Sequence, residues 1–264
     1  MSDKNPELAG QPGAVDTHCH LFLIDSEPSG VVEAARAAGV DRLICVGVDP
    51  ETSRRSLELA DSIEGVFATA GMHPHDASGF DKEAGARIEE LLHDPRMIGV
   101  GECGLDYFRM HSPKEDQERA FRAQIALSND TGKPLVVHVR DAWAEILRLL
   151  DEGSAERVVL HCFTGDVEIA RACAARGWFL SFAGNITYPK NVHIRDAVAA
   201  VPLPQVLVET DSPFLAPQRI RGRDNAPANV VDVIHAVAHA RGEPVENVRT
   251  TTARNAFEAF PRLV

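Results

Sequence analysis

Six residues able to hold a metal fall at the ends of apolar runs along this chain: His18, His20, Glu102, His138, His161 and Asp211. Imidazole and carboxylate are the usual donors of hydrolytic zinc, manganese, nickel and magnesium sites, and they do not choose among those ions. His18 and His20 lie two apart, so on extended backbone both rings point to one side. One catalytic cation needs three protein ligands and an open position, so this set exceeds a single site. Two divalent cations sharing one carboxylate would use it fully, and Glu102 is the natural bridge. Such a pair, ~3.5–4 Å apart, can clamp a phosphoryl group and acidify the water that attacks it. Asp211 is then the expected proton acceptor.

Other residues fall beside these. His73-Pro74-His75 follows an apolar run, which makes His73 a candidate to assist the leaving group and His75 a candidate substrate contact. Arg140 stands two residues beyond His138 and should point the same way, toward a bound phosphate. Glycines flank Glu102 in Gly101-Glu102-Cys103-Gly104, which lets backbones approach closely there. Cys19, Cys103 and Cys162 adjoin ligands in sequence, but alternation turns them behind the wall. Arg219, Arg221 and Arg223 make either a basic lip or a solvated loop. His93, His111, His193, His235 and His239 lie in helices or loops and read as ordinary residues. No lysine lies at a strand end, so a modified-lysine bridge is not expected.

Elements that would bring the six together can be read from apolar periodicity. Strands are expected near 14–18, 42–48, 67–72, 97–102, 134–139, 157–162, 178–183 and 205–209. Helices should fill the gaps near 28–38, 51–63, 81–93, 113–131, 141–151, 166–176 and 191–200, with two more near 229–240 and 245–260. Asp141 and Asp166 are the expected N-caps of two of these. Eight β/α units predict an α/β fold: a single (β/α)8 TIM barrel with the metal site at the C-terminal ends of the strands. An open doubly wound sheet would carry a Gly-rich phosphate loop after strand one, whereas His18-Cys19-His20 stands there. Residues 1–13 read as a flexible lead-in and 14–264 as the barrel domain.

Bulk properties agree with a globular enzyme. The chain has 264 residues, 44% hydrophobic and 25% charged. A net charge of -12 disfavours bulk attraction to nucleic acid or anionic membrane, so a phosphodiester would have to be held by local positive charge. Five cysteines without a C-x-x-C pair fit a reducing, cytoplasmic compartment. There is no signal-like start and no membrane-length apolar run. A monomer without an obligate protein partner is expected.

Taken together, the motifs resemble the TatD family of metal-dependent hydrolases, within the amidohydrolase superfamily. The resemblance rests on Asp16-Thr17-His18-Cys19-His20-Leu21, Gly71-Met72-His73-Pro74-His75, Gly101-Glu102-Cys103-Gly104-Leu105-Asp106-Tyr107, His138-Val139-Arg140-Asp141-Ala142, His161-Cys162-Phe163-Thr164-Gly165 and Glu209-Thr210-Asp211-Ser212-Pro213-Phe214-Leu215. It implies a TIM barrel and deoxyribonuclease action on DNA, described for the family as 3′-to-5′ exonuclease. By position, His18, His20 and Asp211 hold one cation, Glu102 bridges, and His138 and His161 hold the other. Three departures, Phe22, Val139 and Ala226, touch no ligand and bear on substrate preference. The same ligands would also serve hydrolysis of an amide, lactone or ester, or a metal-binding protein without turnover.

Overall fold

The computed structural model describes residues 13–263. Eight strands make one sheet in sequential order, with every neighbouring pair parallel. They are β1 (Ala14–Cys19), β2 (Val40–Val46), β3 (Val66–Ala70), β4 (Met97–Asp106), β5 (Leu135–Arg140), β6 (Val158–Leu160), β7 (Phe179–Phe182) and β8 (Val206–Val208). The helices between them are α1 (Pro28–Ala37), α2 (Pro50–Ser62), α3 (Lys82–Leu91), α4 (Lys114–Thr131), α5 (Trp143–Glu152), α6 (Val167–Ala175) and α7 (Val192–Ala200), followed by α8 (Val230–Arg241) and α9 (Val245–Ala259). First and last strands meet at their C-terminal ends: Thr17 Oγ1 donates to the Val208 carbonyl at 3.0 Å, and Asp211 N donates to the His18 carbonyl at 2.9 Å. A Cys19–Ser212 bridge continues the seam, closing the sheet toward a (β/α)8 barrel.

Two apolar clusters divide the core by strand alternation. Val15, Ile44, Val46, Phe67, Ile98, Val136, Val159 and Leu207 form one with Ala253, Ala256, Phe260 and Leu263, so the end of α9 and the residues after it pack onto the barrel's inward side chains. Their neighbours Leu43, Cys45, Leu135, Val137, Val158 and Leu160 join the other, between strands and helices. That alternation carries Val136 to His138 and Val159 to His161, both on the inward side.

Two of the sheet's register shifts adjust the phase beside the candidate ligands. Asp16 pairs with Leu43 and Cys19 with Cys45, three steps against two, so β1 gains a residue around His18. Val100 pairs with Leu135 and Cys103 with Val137, again three against two, around Glu102. The strand expected to end at Glu102 therefore continues to Asp106. Two of its three glycines take positive φ, 131° at Gly101 and 132° at Gly104. A Cβ at Gly104 would stand 2.1 Å from the His138 carbonyl oxygen, so only glycine fits there.

Asp166 caps α6 as expected, accepting from Ile169 N at 2.9 Å. Asp141 does not cap α5: it sits at φ 53°, and the helix begins two residues later after Ala142. The lead-in expected over residues 1–13 lies outside the described residues except Gly13, whose N–H donates to Asp41 Oδ2 at 2.8 Å. Among the described residues no helix is long and apolar enough to cross a membrane.

Candidate active site

All six candidate ligands meet at the C-terminal mouth of the barrel, arranged around Glu102. Glu102 is 3% exposed and its two carboxylate oxygens face different partners. Oε2 lies 3.4 Å from His18 Nε2 and 3.9 Å from His20 Nε2. Asp211 Oδ1 completes that half, 3.8 Å from His18 Nε2 and 3.5 Å from His20 Nε2. Oε1 lies 3.0 Å from His138 Nδ1, 3.6 Å from His161 Nε2 and 3.5 Å from His73 Nε2.

These spacings suit cations. Ligands at ~2.0–2.2 Å from a tetrahedral ion stand about 3.3–3.6 Å apart, close to the separations in the Oε2 half. His18 Nε2 and His20 Nε2 face each other at 3.3 Å. Two ring lone pairs cannot meet so closely without a proton or cation between them. The far nitrogens show which rings can offer a lone pair. His20 Nδ1 donates to the Val46 carbonyl at 2.8 Å, leaving Nε2 free. His161 Nδ1 lies 2.7 Å from Glu209 Oε1, which leaves its Nε2 free too. His138 turns Nε2 to Asp106 Oδ2 at 3.4 Å and so presents Nδ1. His18 Nδ1, His138 Nε2 and His161 Nδ1 meet no partner in hydrogen-bond geometry among the described residues, so the latter two are oriented by carboxylate contact rather than by a formed hydrogen bond.

His73 differs. Its Nδ1 accepts from His75 N at 3.1 Å, so the neutral ring carries its proton on Nε2, facing Glu102 Oε1. Burial pushes its pKa down to about 4. At neutral pH His73 is thus an uncharged hydrogen-bond donor rather than an imidazolium, which suits holding an oxygen better than releasing a proton. His75 Nε2 contacts Asp106 Oδ2 at 2.9 Å and its ring stacks on His111 at 4.3 Å, so it faces the rim through Asp106.

Charge is concentrated here. Burial alone would raise the Glu102 pKa, but the imidazoles of His73, His161, His138 and His18 hold it well below the ordinary value. Burial would likewise depress His161, yet the Glu209 and Glu102 carboxylates outweigh it and bring it to about 10. Asp211 is held low against its burial, first by the hydrogen bond from His20 and then by the charge of His161.

Three carboxylates and an amide that frame this site were not among the expected site residues. Glu209 is 1% exposed, contacts His161 and accepts from Cys162 N at 2.8 Å. Asp106 accepts from Phe108 N and Arg109 N at 3.0 and 2.7 Å while facing His75 and His138. Asp16 ties β1 to the Asp211 loop, accepting from Thr210 N at 2.8 Å and Thr210 Oγ1 at 2.5 Å. Asn225 braces the same loop, donating to the Thr210 and Phe214 carbonyls at 2.9 and 2.8 Å. Alternation would have flagged Glu209, two residues beyond the inward Leu207; Asp106 needed the longer β4.

The cysteines stay off the ligand clusters found among the described residues. Cys19 and Cys103 donate to the Ile44 and Val136 carbonyls at 3.4 and 3.5 Å. Cys162 is only half-buried and accepts from Asn185 Nδ2 at 3.5 Å, so it does not pack behind the wall. Arg140 is exposed, its guanidinium 4.1 Å from the Phe108 ring centroid. The three arginines after Asp211 do not act together: Arg219 pairs with Asp232, and Arg221 lies over Tyr188 at 4.4 Å.

The TatD related DNase family model matches residues 15–261. A metal-dependent hydrolase of Bacillus subtilis, YabD, is 36% identical over 93% of this chain and 98% of its own length. The 3′-5′ ssDNA/RNA exonuclease TatD of Escherichia coli K12 is 35% identical over 87% of this chain and 91% of its own. The crystal structure of YjjV, a TatD homologue from the same bacterium, superposes with a TM-score of 0.90 at 26% identity, covering 94% of this chain and 98% of that one.

Proposed function

Because the chain belongs to the TatD family of metal-dependent hydrolases, we propose that it is a nuclease that shortens single-stranded nucleic acid from the 3′ end by cleaving phosphodiester bonds. The single observation that carries this reading is the division of Glu102 between two ligand clusters, one on each carboxylate oxygen. His18, His20 and Asp211 would hold one divalent cation with Oε2, and His138 and His161 a second with Oε1. When bound, two such cations would supply positive charge for a phosphate group and acidify a water.

The remaining work falls to side chains. Asp211, with its side chain 14% exposed, is placed to take the proton of the attacking water. His73 Nε2–H holds a phosphate or leaving-group oxygen by hydrogen bond. Arg140, with no carboxylate contact recorded among the described residues, offers its guanidinium to the phosphate backbone. His75 keeps Asp106 aimed at His138 and lines the same approach.

The test is hydrolysis of end-labelled single-stranded DNA by metal-stripped protein, with magnesium, manganese and zinc restored in turn and His161→Ala alongside. Stepwise shortening that needs the cation and is lost in the variant supports the reading. Turnover of small esters or lactones with no cleavage of DNA or RNA by any cation would refute it in favour of a carbonyl substrate.

A further inference from the structure

The large apolar side chains left exposed among the described residues are Leu23, Phe108, Met110, Val192 and Phe214. Four of them, Leu23, Phe108, Met110 and Phe214, stand in the segments that follow β1, β4 and β8, and Val192 opens α7 after β7, all on the side of the strand C-termini that holds the candidate site. Apolar groups scattered by chance would also occupy the bodies of the helices and the opposite face. The two largest adjoin the two halves of the ligand set. Phe214 is 52% exposed, and its ring lies 6.1 Å from that of His20, beside Oε2 of Glu102. Phe108 is 57% exposed; its N–H donates to Asp106, whose other oxygen faces His138, beside Oε1.

Phe108 also has guanidinium groups beside it. Arg140 lies over its ring at 4.1 Å and Arg109 at 5.8 Å. The rim repeats the pairing with Arg221 on Tyr188 at 4.4 Å and Arg55 on Phe22 at 5.5 Å. Exposed rings and guanidinium planes at one mouth, on a chain of net charge -12, form positive and aromatic spots where a polyanion with flat bases would lie. A double helix hides its base faces, whereas a single strand offers them.

We propose that Phe214 on one side of Glu102, and Phe108 with Arg140 on the other, form a pair of stacking subsites for the unpaired bases flanking the scissile phosphate. This rests on the nuclease reading above and adds to it: the rings select single strands, and they do so by base faces rather than base edges, so sequence preference is weak. These are binding groups, and the bond-breaking machinery does not depend on them.

The test compares wild type, Phe108→Ala, Phe214→Ala and the ring-restoring Phe108→Trp on two single strands of equal length. One carries bases and the other abasic sugar phosphates, and both are labelled for anisotropy and for hydrolysis. Each alanine variant is expected to weaken binding and raise KM for the base-bearing strand roughly 5- to 100-fold. kcat should stay within about twofold, the abasic strand should be unaffected, and tryptophan should restore affinity. Equal losses on both strands, or no loss on either, overturn the stacking subsites while leaving the nuclease reading intact. Ring-dependent binding of the base-bearing strand without hydrolysis would uphold the subsites and sink the nuclease reading. Failure of wild type to bind either strand would remove both.

Discussion

Replacing Glu209 tests whether the site depends on a buried carboxylate set against His161. Glu209 is 1% exposed and its Oε1 lies 2.7 Å from His161 Nδ1, so it sets the tautomer that leaves Nε2 facing Glu102. In Glu209→Gln the amide oxygen can still accept from Nδ1–H or from Cys162 N–H, but the charge is gone. Hydrogen bonds to charged groups contribute ~1.5–3 kcal/mol and neutral ones ~0.5–1.5 kcal/mol. The difference, about 1–1.5 kcal/mol, predicts a roughly tenfold loss of cation affinity at the His161 side. Glu209→Ala strands both donors and should approach a hundredfold loss, the upper end for carboxylates behind a ligating histidine, ~10–100-fold. The assay is competition for manganese or zinc against a chromophoric chelator. Far-UV circular dichroism would confirm the fold, and Glu58→Gln, at an exposed residue on α2, controls for lost charge. Wild-type affinity in Glu209→Ala would refute the view that His161 works through this partner.

Cation binding should release protons at pH 7. The carboxylates around His20, His138 and His161 raise these imidazoles against the effect of burial, so they hold protons in the cation-free protein that a cation must displace. Calorimetry in buffers of different ionisation enthalpy reads that release, and none at pH 7 would contradict the coordination proposed. Lys133, 4% exposed, is pushed down to about 8 by burial, from an ordinary 10.5. Between those values the unfolded chain binds more protons, so this residue's contribution to stability rises with pH and is least below pH 8. Urea unfolding at pH 7.5 and 9.5 should show wild type gaining stability relative to Lys133→Met at the higher pH, and an unchanged difference would exclude it. Gly104→Ala would drive a Cβ into the His138 carbonyl at 2.1 Å from a φ of 132°, costing roughly 2–5 kcal/mol and cation affinity together. A thermal melt unchanged from wild type would show that β4 and β5 can move apart there.

Much of this was legible before any coordinates. Residues rich in Val, Ile and Leu mark strands buried on both faces, and each of the eight appears within a few residues of its expected place. Parallel strands in a barrel send their C-termini to one mouth, so ligands far apart in sequence had to converge. Simple alternation sufficed for His138 and His161 because β5 and β6 are regular there. It could not supply the extra residues in β1 and β4, since bulges depend on pairing partners that no local pattern reveals. For the same reason the apolar pattern ends β4 at Glu102 and leaves Asp106 outside it. Asp141 illustrates a local signal overridden: it looks like an N-cap, but at φ 53° it serves the turn after Arg140 instead. The tautomers were also out of reach, because His75 N and the Glu209 carboxylate reach their imidazoles only through the tertiary fold.

The most direct test of the central claim, a two-cation hydrolytic site built on Glu102, is a single titration. Metal-stripped protein is given manganese stepwise while bound ions per chain and cleavage of single-stranded DNA are followed in the same sample, for wild type and Glu102→Ala. The account predicts that cleavage rises with the second equivalent in wild type, and that the variant neither fills both positions nor cleaves. Full cleavage in Glu102→Ala, or in wild type carrying no cation, would contradict it.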